Sequence, residues 1–233
     1  MKNKIEIPNE YDRNIHKKGF NPVPPKLIEG YLRIILPLTN FLKTLNINPN
    51  ALTTLGTIMT IVGAIFFALS YLRIGGMFIV LGAVCDTLDG SIARDSDKKT
   101  KYGAFYDSVM DRYSEIIMFF GIAVHFVRND FYWTSVAIFA ALGGSVMVSY
   151  VRARAEGSGY ECDVGMMLRP ERIAYISVGA IIGKLPIINE LFLIVAIWVI
   201  AILSNVTAIQ RIIYVYKISK KMSEDSAVEV DSL

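Results

Sequence analysis

Four carboxylates are the residues of this chain best placed to do chemistry. Asp86 and Asp89 are three apart, and Asp107 and Asp111 are four apart. Those spacings put each pair on one face of a helix. Both pairs border apolar runs long enough to cross a bilayer, where an ionised acid is costly and marks a functional site by default. Two such helices folded back on each other bring four carboxylates together, and a divalent cation relieves their repulsion. Oxygen donors in this number suit magnesium, with manganese possible; magnesium completes its shell with water and substrate phosphates. Separate capping or solvated acids would explain any one of the four, but not all of them at these spacings.

The residues between the acids add to that reading. Gly90 follows Asp89 directly, and a missing side chain there lets a ligand approach the helix. Ala93 is also small, and Arg94 offers a planar cation to a phosphate. Gly103, four before Asp107, serves the second helix as Gly90 serves the first. Metal, cation and open backbone together describe a pyrophosphate site.

The elements that must position these residues are apolar helices. The chain has 233 residues, 53% of them hydrophobic, and a mean hydropathy of +0.44. That is too apolar for a soluble domain of this size. A net charge of +3 gives no reason to expect nucleic acid as a partner. Cys85 and Cys162 are too few for a disulfide framework, and no cleavable signal peptide is visible at the start.

The expected fold is an all-α integral membrane protein of six transmembrane helices preceded by an amphipathic juxtamembrane helix. Residues 1–25 read as a polar cytoplasmic segment. Residues 26–45 carry Ile28, Leu32, Ile35, Leu38 and Leu42 at helical spacing and read as an interfacial helix. The six spans, of about 20 residues each, run roughly over 52–72, 75–93, 102–127, 132–151, 172–184 and 191–214. They form a catalytic domain over 46–216, followed by a flexible cytoplasmic tail over 217–233. Lysine and arginine concentrate in the amino-terminal segment, the loops 94–101 and 152–172, and the tail, which puts those segments and the acids on the cytoplasmic side of a multi-pass cell-membrane protein. His125 reads as an interfacial or packed histidine. Small residues such as Gly56, Gly63, Gly143 and Gly144 permit close helix contacts.

Asp86, Asp89, Gly90, Ala93, Arg94, Gly103, Asp107 and Asp111 spell D-x-x-D-G-x-x-A-R, eight residues, G-x-x-x-D-x-x-x-D. This resembles the signature of the CDP-alcohol phosphotransferases, with no departure. The resemblance implies two metal ions held by Asp86, Asp89 and Asp107, with Asp111 touching one metal and acting as general base. It also implies that Gly90, Arg94, Thr100 and Gly103 meet the CDP-lipid. The segment "NPNALT" adds Asn50, Ala51, Leu52 and Thr53 to those contacts. Homodimers are usual in the family.

A second basic region bears on the acceptor. Ser149 and Arg152 share a helical face at the membrane edge, Arg172 opens the next span, and Arg211 is a charge within the last apolar run. Converging arginines and a hydroxyl suit a second phosphate, on the incoming alcohol. The sequences "SYVRARAE" and "RPER" resemble the phosphatidylinositol-phosphate synthase branch of the family. That implies inositol 1-phosphate as acceptor, with CDP-diacylglycerol or CDP-archaeol as donor. Arg152 departs from the lysine usual there. The alternatives are glycerol 3-phosphate as acceptor and, in a different class, a cation transporter with an acidic intramembrane cluster.

Overall fold

The computed structural model describes residues 37–39, 41–42, 47–95, 100–182 and 190–231, without the side chains of 94, 95 and 223–231. From residue 47 on, six helices follow one another among the described residues: α1 Pro49–Ala68, α2 Leu72–Asp95, α3 Lys101–Arg128, α4 Tyr132–Gly157, α5 Arg169–Ile182 and α6 Leu191–Asp231. Helix α1 packs on α2 and α3, α2 on α5, α5 on α6, and α4 on both α3 and α6. No strand occurs among the described residues.

Local sequence explains where these helices start and how closely they approach. Asn48 caps α1 by accepting from the Asn50 N–H, with Pro49 in the first turn, where its missing N–H costs nothing. Glycines then bring α1 onto α2. A Cβ on Gly56 would meet the Gly82 carbonyl at 3.1 Å, and one on Gly63 would meet that of Gly75 at 3.0 Å. The two antiparallel helices are thus zipped by two glycine pairs seven residues apart, the close approach that small residues allow in a membrane. Gly56, Gly63 and Gly144 all serve contacts within the chain, whereas Gly143 faces open space.

The apolar core lies toward the end of the bundle away from the aspartates and includes Phe67, Phe119, Ile122, Phe126, Ile138, Ile176 and Ile197. At that end His125 is 1% exposed, with Nδ1 2.9 Å from the Ser70 hydroxyl and Nε2 3.1 Å from Glu190. It is a packed histidine with polar partners.

This is an all-helical membrane protein, but not every helix meets the simple hydropathy standard. Among the described residues, four segments are fit by length and composition to cross a membrane: Pro49–Ala68, Leu72–Ala93, Tyr132–Gly157 and Leu191–Met222. Of the six spans expected from sequence, those matching α3 and α5 fall short. Helix α3, at 28 residues, is about 42 Å long, but its first half carries Asp107, Asp111, Arg112 and Glu115. Helix α5 has 14 residues, about 21 Å against a hydrocarbon core of about 30 Å. Both carry the polar side chains described below.

Helix α6 runs on to Asp231, so residues 217–231 of the expected tail are helical; "KISKKMSEDSAVEVD" holds no glycine or proline to stop it. Of the helix expected over 26–45, residues 37–39 and 41–42 are described and helical. The rest, with segment 1–25, lies outside the described residues.

Candidate active site and metal centre

The acids occupy the carboxyl-terminal part of α2 and the amino-terminal part of α3. Asp86, Asp89 and Asp107 each place a carboxylate oxygen within 4.8 Å of the others. Asp89 is 5% exposed and accepts a hydrogen bond from the Thr53 hydroxyl of α1. Asp107 Oδ1 is buried with no hydrogen-bond partner, an arrangement that costs free energy unless something else satisfies it. Three hard oxygen donors with one buried lone pair unmet fit a small divalent cation.

Asp111 lies one turn beyond Asp107 and has a different partner. Arg169, the first residue of α5, sets Nη1 2.7 Å from Asp111 Oδ1 and 2.9 Å from Asp86 Oδ2. One guanidinium nitrogen therefore joins α2 to α3. Asp111 Oδ2 is also 3.5 Å from Arg112 Nη1. Asp86, Asp111 and Arg169 line a narrow crevice with Thr53, Thr57 and Thr60 of α1, whose water-sized space is about 20 Å³.

One turn deeper is a second pair. Arg172 is fully buried and Glu115 is 4% exposed. Arg172 donates from Nε to Glu115 Oε1 at 2.6 Å and from Nη2 to Oε2 at 3.1 Å. Its Nη1 donates to the Met167 carbonyl at 3.0 Å. Neither Arg169 nor Glu115 was singled out from sequence as a site residue. The available signal was a matched pair of spacings. Asp111 and Glu115 are four apart on α3, and Arg169 and Arg172 are three apart on α5, so the two helices present two successive rungs.

The positions expected to meet the CDP-lipid lie at the amino-terminal ends of α1 and α3 and in the carboxyl-terminal part of α2. Thr100 caps α3, its hydroxyl accepting from the Gly103 N–H at 2.9 Å. A Cβ on Gly103 would crowd that hydroxyl at 3.0 Å and Asn50 Oδ1 at 3.2 Å. Glycine there lets the two helix starts sit side by side. Asn50, Ala51, Leu52 and Thr53 form the first turn of α1, with Leu52 buried and Ala51 exposed. Gly90 is half-buried on α2; the Arg94 side chain lies outside the described residues.

The four residues expected at the acceptor phosphate divide into two that are fully buried, Arg172 and Arg211, and two that are not, Ser149 and Arg152. Arg211 is 2% exposed and donates to the Val164 and Val148 carbonyls at 2.7 and 2.6 Å. With Thr207, whose hydroxyl accepts from the Met166 and Met167 N–H groups, it pins loop 158–168 onto α6. Arg152 and Arg172 are its basic neighbours. Arg152 is half-exposed and pairs with Glu156 at 2.7 Å and Asp163 at 3.1 Å. Ser149 is half-buried on the same helix, α4.

Comparison with known proteins agrees with this architecture. Residues 46–218 match the CDP-alcohol phosphatidyltransferase family. The chain is 38% identical over 184 residues to the archaetidylinositol phosphate synthase of Pyrococcus horikoshii, covering 78% of this chain and 88% of that one. It also resembles the crystal structure of Mycobacterium tuberculosis phosphatidylinositol phosphate synthase with CDP-DAG bound. There the TM-score is 0.71 at 31% identity, over 79% of this chain and 94% of that one. The same enzyme in complex with manganese and citrate gives a TM-score of 0.69 at 30% identity, over 78% and 88%. The chain belongs to the CDP-alcohol phosphatidyltransferase family. It is a membrane transferase of phospholipid biosynthesis, which sets the cation-transporter alternative aside.

Proposed function

We propose that this enzyme transfers the lipid phosphate of CDP-diacylglycerol or CDP-archaeol to inositol 1-phosphate at the acid cluster, releasing CMP. The observation that carries this reading is the convergence of Asp86, Asp89 and Asp107 oxygens within 4.8 Å, with Asp111 tied to them through Arg169, in a chain of this family. Asp86, Asp89, Asp107 and Asp111 would hold two Mg2+, or Mn2+. Bound there, the metals would neutralise the pyrophosphate and the charge gathering on the leaving CMP.

The chain's own residues do the rest. Gly90 and Gly103 keep the backbone open to the nucleotide, Arg94 and Thr100 meet it, and Asn50–Thr53 form the wall on α1. Asp111 accepts the proton of the acceptor hydroxyl. The freed oxygen pair attacks the lipid-bearing phosphorus, and the phosphoanhydride bond breaks with its electron pair leaving on CMP.

Ser149 and Arg152 contact the acceptor phosphate. Arg152 is the exchangeable group, because its present partners Glu156 and Asp163 are exposed, at 50% and 56%, and such pairs are weak. Arg211 supplies fixed positive charge behind it, with Arg172 held beside it by Glu115. Relatives named phosphatidylinositol and archaetidylinositol phosphate synthases support inositol phosphate over glycerol 3-phosphate.

The same reading gives six spans over 46–216, a juxtamembrane helix over 26–45, cytoplasmic segments 1–25 and 217–233, a cytoplasmic-facing site and a homodimer. Lysine and arginine bias supports the orientation. The test is a labelled-headgroup assay with purified protein, each CDP-lipid and Mg2+, comparing inositol 1-phosphate, glycerol 3-phosphate, free inositol and serine. CMP release with inositol phosphate incorporated is expected. Incorporation of only free inositol or serine would sink the phosphate site.

A further inference from the structure

We propose that Arg169 is a tethered cation that competes with the divalent metal for Asp86 and Asp111, and so sets how tightly the centre holds its metal. The proposal rests on the reading of the acid cluster as a metal centre. A single nitrogen, Nη1, contacts carboxylates from two helices, at 2.9 Å on α2 and 2.7 Å on α3. Both carboxylates belong to residues that would hold the metal. A guanidinium and a metal drawing on the same oxygens oppose each other twice, by sharing the donors and by like charge.

Arg169 is also built to let go. It stands at the first position of α5, directly after loop 158–168, and its side chain is 21% exposed. Its Nε is buried without a hydrogen-bond partner, so the pairing with Asp86 and Asp111 leaves one donor unmet. Arg172, three residues on, uses Nε, Nη1 and Nη2 and is fully buried. Nor does Arg169 satisfy the cluster, since Asp107 Oδ1 is left with no partner. A guanidinium half-satisfied, facing acids half-satisfied, is an exchangeable clamp.

The experiment titrates Mn2+ into the purified full-length protein in detergent micelles at low ionic strength and follows free Mn2+ by electron paramagnetic resonance. Wild type, Arg169→Gln and Arg169→Lys are compared. Removing the competing charge should tighten Mn2+ binding roughly tenfold in Arg169→Gln. Arg169→Lys, a point charge less suited to bridging, should tighten it a few-fold. Melting adds a readout independent of turnover: Arg169→Gln should melt below wild type in chelator, and saturating Mn2+ should close the gap. Equal or weaker Mn2+ binding in Arg169→Gln would overturn the competition while leaving the metal centre intact. Should that variant fail to fold, equal or weaker binding in Arg169→Lys overturns it in the same way. A wild type that binds no Mn2+ would overturn both this inference and the metal-centre reading.

Discussion

Two arginine–carboxylate rungs join α5 to α3 one helical turn apart, and they do different work. At the mouth of the crevice Arg169 meets Asp111 and reaches across to Asp86 with its Nε unmet. One turn deeper Arg172 meets Glu115 through two parallel hydrogen bonds and spends its remaining guanidinium nitrogen on the Met167 carbonyl. Residue chemistry is the same in both. Depth and completeness differ, and these decide whether an ion pair is a strut or a clamp. A buried, fully bonded pair resists exchange because freeing either partner strands a charge in a low dielectric. A partly exposed, incompletely bonded pair yields to a competing ion.

That contrast can be broken by experiment, and the largest effect belongs to the mouth. Asp111→Asn keeps the shape of the rung but removes the proton acceptor, so CMP release should fall about 10²–10⁴-fold, with the melting temperature close to wild type. Near-normal turnover would remove Asp111 from the base role. Chelation should separate the rungs in another way. With EDTA, transfer should vanish and return on adding Mg2+ or Mn2+, while the helical content seen by circular dichroism stays constant.

The deeper rung should show its weight in stability. Glu115→Ala strands the Arg172 charge and should cost about 3–5 kcal/mol, read as a lower melting temperature in detergent. Pairing it with Arg172→Met should recover much of that loss, because a matched apolar pair no longer buries an unpaired charge. If the double variant is as unstable as the single, Arg172 matters through the Met167 loop contact rather than through Glu115.

The smallest effect marks the surface. Arg152→Ala loses only exposed ion pairs and should change stability by less than about 1 kcal/mol, while raising KM for inositol 1-phosphate. An unchanged KM would remove Arg152 from the acceptor site.

Much of the site was legible because helix periodicity is local. Three- and four-residue spacing already put Asp86 with Asp89 and Asp107 with Asp111, and a short link between two apolar runs made the hairpin that collects three of the four into one cluster. Spans were less legible. Hydropathy counts a polar residue against α3 wherever it points, yet its Asp111 and Glu115 meet Arg169 and Arg172 of α5 inside the bundle, while α5 falls short through its length of 14 residues. Side-chain partners were not legible where the reach is long: the Thr53 hydroxyl of α1 donates to Asp89 of α2, 36 residues on.

The amino-acid sequence alone determined the family, the helical membrane fold and the acids that can hold a metal, since each follows from residue type and short-range spacing. Only the tertiary structure decided that Arg169 reaches Asp86 and Asp111 while Arg172 is consumed by Glu115. Partner choice between long, flexible charged side chains depends on how α5 sits against α2 and α3. That register is fixed by packing of residues far apart in the chain.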